Sequence, residues 1–164
     1  MRRILSLQFP WMSLASFLLV TAVCLSTTQL HAQAASSGTS SQAQEFSQNV
    51  KEVYFPFNVY KKATNPAALD SDAEWLKQHS DTHVWIQGYA DVRGDIFYNL
   101  VLSYRRAQFV KTSLTKRGVS DSQIGYATGW GKLYPVCDAH DDACFQKNRY
   151  VDMVLPQTLM LPPM

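Results

Sequence analysis

The chain has 164 residues, 46% of them hydrophobic and 17% charged, enough for one domain with a single core, too few for two, and too apolar for a disordered polymer. Its 15 basic residues include Arg2 and Arg3; leaving those two out brings the count level with the 13 acidic residues. A neutral domain has neither the electrostatic footprint of a nucleic-acid binder nor a polybasic membrane patch, so the partner must be found in local chemistry.

Residues 1–34 have the layout of a secretory signal. Arg2 and Arg3 form a positive start, Trp11 to Leu25 an apolar run, and Ala32-Gln33-Ala34 a small-x-small cleavage site. The apolar run falls short of the roughly 18 residues of a membrane span and is broken by Ser13, Ser16 and Thr21, which favours cleavage over a retained anchor. Residues 35–49 are rich in Ser, Ala and Gln. Such a stretch has too little apolar area to offset its chain entropy and is expected to be a flexible leader. The folded domain is expected over 50–156, followed by a Pro-containing tail at 157–164.

Val53-Tyr54-Phe55 and Phe57 are β-branched or aromatic and predict a first strand. Pro56 lacks an N–H and places that strand at an edge or a bulge. Asn65-Pro66 opens a helix over about 66–79, with Asn65 as cap and Pro66 at the first helical position. Asp70, Asp72 and Glu74 lie toward its positive end, and Leu69, Ala73 and Leu76 recur at core-facing spacing. Val84, Ile86 and Gly88 alternate with Trp85, Gln87 and Tyr89 as a two-faced strand. A second helix starts near Phe97 and stops at Lys116-Arg117-Gly118, basic residues followed by a glycine. Ile124–Ala127 and Arg149–Leu155 complete four strands.

The stretch from Gly88 to Ala107 organises the rest. A strand delivers Asp91 at its carboxyl end, Arg93-Gly94-Asp95 makes a polar turn, and the next helix carries Asn99, Ser103 and Arg106. Asn99 and Arg106, seven apart, share a helix face about 10 Å apart, with Ser103 between them. An arginine fork pairs two-fold with a carboxylate, and an aspartate complements an ammonium. Asp91 and Arg106 therefore fit the two charges of an amino-acid centre; by spacing alone, a mutual ion pair or a solvated surface is the commoner case.

Gly88-x-Ala90-Asp91-x-Arg93-Gly94, then Tyr98-Asn99-x-x-Leu102, then Arg105-Arg106-Ala107 resembles the signature of the OmpA-like domain family, shared by peptidoglycan-associated lipoproteins, OmpA C-terminal domains and flagellar stator proteins. The resemblance covers about residues 50–155. It implies a two-layer α/β (α+β) sandwich of β-α-β-α-β-β order, with a small four-stranded mixed sheet packed against helices. It also implies a non-catalytic module that holds an exported protein to the cell wall, binding the diaminopimelate of the peptidoglycan stem peptide through Asp91, Arg106 and Asn99. Arg93, Gly94, Ser103 and Arg149 are secondary candidates. The family pattern Tyr-Phe-Asp-Phe-Asp appears here as Tyr54-Phe55-Pro56-Phe57-Asn58, two acids fewer, and its Asn-Arg-Arg as Asn148-Arg149-Tyr150. Implied partners are peptidoglycan and an outer-membrane or envelope-spanning complex, in the periplasm of a Gram-negative cell; no cofactor and no nucleic acid are called for. Lipidation at Cys24 is disfavoured, because Val23 stands where lipoprotein signals resemble a pattern with a small residue.

Cys137 and Cys144 remain after the signal is removed, and a disulfide is the default for an even number of cysteines in an exported chain. Asp138, His140, Asp141 and Asp142 between them also offer metal donors, though an acidic solvated loop is the commoner case. No Ser-His-Asp, Cys-His or paired-carboxylate spacing points to an enzyme. The alternative function is a structural subunit that keeps the fold and binds protein partners, with weak or no wall binding.

Overall fold

The computed structural model describes residues 41–156; the signal, Cys24, the first part of the leader and the tail at 157–164 lie outside them. In chain order the elements are α1 (41–49), β1 (Val53–Tyr54), α2 (Pro66–Gln78), β2 (Val84–Tyr89), α3 (Ile96–Lys116), β3 (Ile124–Gly131), α4 (Asp142–Lys147) and β4 (Tyr150–Val154). The strands form one mixed sheet in the order β1-β4-β2-β3, with β2 and β3 parallel and the other pairs antiparallel. The α/β sandwich expected from the sequence is what forms. β1 is an edge strand, which Pro56, just past its end, tolerates.

The parallel pair requires a crossover, and α3 supplies it. Its start is fixed by Asp95, whose carboxylate accepts the amides of Phe97 and Tyr98. Its end is set by Gly118 at φ +94°. Leu69, Ala73 and Leu76 of α2 and Ala107, Val110 and Leu114 of α3 pack on Val84, Ile86, Val151 and Met153 of the sheet. α3 lies unusually close to the sheet because two strand positions facing it are glycines. A Cβ at Gly88 would collide with the Ser103 carbonyl, and one at Gly129 with the Tyr104 amide. That closeness brings the start of α3 against the carboxyl ends of β2 and β3.

Three expectations change. The leader is not flexible throughout: residues 41–49 are helical, and Phe46 is buried edge-on against Trp75, ring centroids 5.6 Å apart. One large aromatic on a polar segment supplies the burial that average composition hides. Asn65 stands at the start of α2 but does not cap it with its side chain; that carboxamide accepts the Tyr54 amide and donates to the Glu52 carbonyl, both at 2.8 Å. Two acids of α2 likewise serve tertiary contacts more than the helix end, while Glu74 pairs with Lys77 within the helix. Asp70 pairs with Arg117, and buried Asp72 accepts the Lys51 amide.

Candidate functional site

At the carboxyl end of β2 a cleft of about 130 Å³ opens between the β1–α2 loop, the β2–α3 turn, the first turns of α3 and the residue preceding β4. Asp91, Arg93, Gly94, Asn99, Arg106 and Arg149 all line it. Six of the seven expected ligand-site residues are thereby brought together. Ser103 is not among them. Its hydroxyl donates to the Leu100 carbonyl and accepts the Gly131 amide, both at 2.9 Å, so it faces β3. Four residues along a helix advance about 400°, and the remaining 40° turns Ser103 from the Asn99 side toward the sheet.

Arg106 is wholly buried. Nε donates to the Val59 carbonyl at 2.9 Å, Nη1 to Tyr89 at 2.9 Å and Nη2 to Pro56 at 3.1 Å. A guanidinium has five N–H groups, so two remain, one on each Nη. Among the described residues Arg106 has no ion pair within 4 Å; Asp91 does not pair with it. Burial, with repulsion from Arg149, lowers its pKa to about 10. It stays a cation at neutral pH, held by carbonyl dipoles, with the Asp91 charge near enough to favour it but not in direct contact.

Asp91 is paired elsewhere. Arg93 grips it with Nε on Oδ1 at 3.1 Å and Nη2 on Oδ2 at 2.7 Å, and Arg149 Nη1 reaches Oδ2 at 3.0 Å. Burial pushes this carboxyl up, but the hydrogen bonds from Arg93 and Arg149 outweigh it, and the net pKa lies below the usual carboxylate range. Asn99, buried, donates to the Arg93 carbonyl at 2.8 Å and so holds the turn. Gly94 takes φ +84° in that turn, a conformation that favours glycine. With three guanidinium groups around one carboxylate, the cleft has a net positive charge and suits an anionic group beside a cationic one.

Several site residues were not foreseen. Phe57 and Phe145 sandwich the Arg93 guanidinium at 4.1 and 4.4 Å from their ring centroids. Gln146 accepts from Arg149 Nη2. Phe145 and Gln146 belong to α4, whose six residues begin just inside the Cys137–Cys144 disulfide. The disulfide forms as the cysteine count implied. Asp141 caps α4, accepting the Cys144 amide at 2.7 Å. Asn148 secures the other end, accepting the amides of Val136 and Cys137 and donating to the Cys137 carbonyl. The aromatic residues gave no signal because a sandwiched arginine has no sequence period.

Comparison with known proteins places this geometry in context. Residues 54–149 match the OmpA family. A peptidoglycan-associated lipoprotein of Brucella melitensis is 31% identical, the match covering 94% of this chain and 97% of the relative. One from Buchnera aphidicola is 36% identical over 59% of this chain, and there the match spans only 56% of the relative. The crystal structure of the peptidoglycan-associated lipoprotein from Burkholderia pseudomallei superposes with a TM-score of 0.59 at 40% identity, covering 63% of this chain and 88% of that one.

Proposed function

The chain belongs to the OmpA family, and from that premise we propose that it is a non-catalytic peptidoglycan-binding module anchoring an exported protein or complex to the cell wall. The observation that carries this reading is the buried Arg106 guanidinium, with two N–H groups left over and no direct ion pair among the described residues, in one cleft with Asp91. A carboxylate on Arg106 would supply a direct ion pair in a planar, two-fold geometry. An ammonium of the same ligand would be matched by Asp91. Diaminopimelate presents both groups on one carbon, and the peptidoglycan-associated relatives support the assignment. The chain acts by binding alone, in the periplasm, after removal of residues 1–34.

The test is a calorimetric titration with a stem tripeptide ending in diaminopimelate. Binding by the parent, weakened at least tenfold in both Arg106→Lys and Asp91→Asn, is the expected result. A folded parent that does not bind overturns the reading.

One observation favours a second role beside it. On α3, Phe97, Val101 and Tyr104 are exposed at helical spacing, an apolar stripe suited to a protein partner in an envelope assembly. Cross-linking from Val101 in envelope preparations, with no adduct formed, would exclude it.

A further inference from the structure

The Asp91 carboxylate, assigned above to the ligand's ammonium, has no acceptor position left. A carboxylate offers about four lone-pair sites. Four N–H groups of the protein fill them: the Arg93 amide at 3.2 Å and Nε at 3.1 Å on Oδ1, and Arg93 Nη2 at 2.7 Å and Arg149 Nη1 at 3.0 Å on Oδ2. An ammonium can reach Asp91 only if one donor leaves.

The two arginines differ in how firmly they are held. The Arg149 side chain is 9% exposed, with Nε on the Phe55 carbonyl at 3.1 Å and Nη2 on the Gln146 carboxamide. It is anchored whether or not Asp91 needs it. The Arg93 side chain is 35% exposed. Besides Asp91, its guanidinium rests on the Phe57 and Phe145 rings, which hold a cation by their faces and accept no strong hydrogen bond. Two of the four donors on Asp91 belong to this half-exposed fork, and both leave together.

We propose that Arg93 is a built-in competitor for the ligand's ammonium: its guanidinium occupies Asp91 in the empty cleft and gives way when an amine-bearing ligand enters. This rests on the stem-peptide reading of the cleft and adds a specificity determinant to it. The free-energy cost of releasing the Arg93 fork is charged to every amine that binds Asp91, so a lone alkylammonium gains little. A ligand that also places a carboxylate on Arg106 gains enough to displace it. The cleft thus selects the zwitterionic centre over either charge alone, and Arg93 sets how strongly.

The test compares the mature chain, residues 35–164, with its Arg93→Met variant, which keeps an apolar stem between the rings but has no charge. Calorimetric titration uses two probes: the diaminopimelate tripeptide, and the same peptide with the diaminopimelate side-chain amine acetylated. Arg93→Met is expected to bind the free amine at least fivefold more tightly and the acetylated peptide as the parent does. Arg105→Met, the same charge change at a position outside the cleft, is expected to change neither. Arg93→Gln serves as a second variant if circular dichroism shows that the first has lost its fold. Weaker or unchanged binding of the free amine by the Arg93 variants, while the parent binds, overturns the competition and leaves the stem-peptide reading standing. Equal tightening for both probes, or equal tightening in Arg105→Met, also overturns it, since the gain would then be general electrostatics. If parent and variants all fail with both probes, the stem-peptide reading falls and the competition with it.

Discussion

The Asp72 carboxylate accepts the Lys51 amide at 2.9 Å across 21 residues, while its second oxygen is buried without a hydrogen-bond partner among the described residues. Burial raises its pKa to about 7, against the weaker pull of the Lys51 contacts, and burial raises Asp152 on β4 to about 7 as well. Both groups hold protons in the folded state that the unfolded chain has released above its ordinary carboxylate pKa. Stability from these two is therefore full below about pH 4 and is lost as pH rises through 7. Urea unfolding is expected to show stability falling from pH 4.5 to pH 8, with a shallower fall in Asp72→Asn. A profile that rises over that interval would contradict the assignment.

Arg106 joins the β1–α2 loop, the end of β2 and α3 through three carbonyls. Arg106→Ala strips those carbonyls of their donor and opens a cavity, at a cost of about 3 kcal/mol or more. Its lost binding would then be confounded with lost fold. Arg106→Lys keeps the charge without the planar fork. It is expected to retain most of the stability by urea unfolding while losing ligand affinity.

Gly129→Ala adds a methyl group where α3 backbone already lies. Overpacking of this kind costs about 1–3 kcal/mol. Because the obstacle is backbone and not a flexible side chain, the upper end is expected. A thermal melt checks this; an unchanged midpoint would mean that α3 yields freely.

Phe46→Ala is expected to cost about 2–3 kcal/mol, less than a central aromatic truncation because α1 can detach on its own. Hydrogen exchange should show residues 41–49 losing protection in the variant while β2 and β4 keep theirs. A leader with no protection in the parent would refute its docking.

The order of elements was legible because each carries a local signal. Leu69, Ala73 and Leu76 have the helical period, Val84 and Ile86 the strand alternation, and Gly118 the stop. Asp91, Asn99 and Arg106 were legible through a motif whose spacing the crossover helix preserves. What escaped was set by contacts distant in sequence. Asn65 satisfies a helix-cap rule yet spends its carboxamide on β1, 11 and 13 residues away. Phe145 meets Arg93 from α4, an element far along the chain that a covalent link helps to hold by the cleft. Ser103 shows the limit of counting by turns: a rotation of about 40° was enough to turn it from ligand to sheet.

That covalent link also lends stability to one wall of the cleft. A six-residue helix has almost no stability of its own in water, and α4 begins just inside the Cys137–Cys144 bridge. Closing a loop of this size contributes about 2–3 kcal/mol in the chain-entropy model. The bridge thereby steadies the short helix that sets Phe145 on Arg93 and Gln146 on Arg149, the two arginines that hold Asp91.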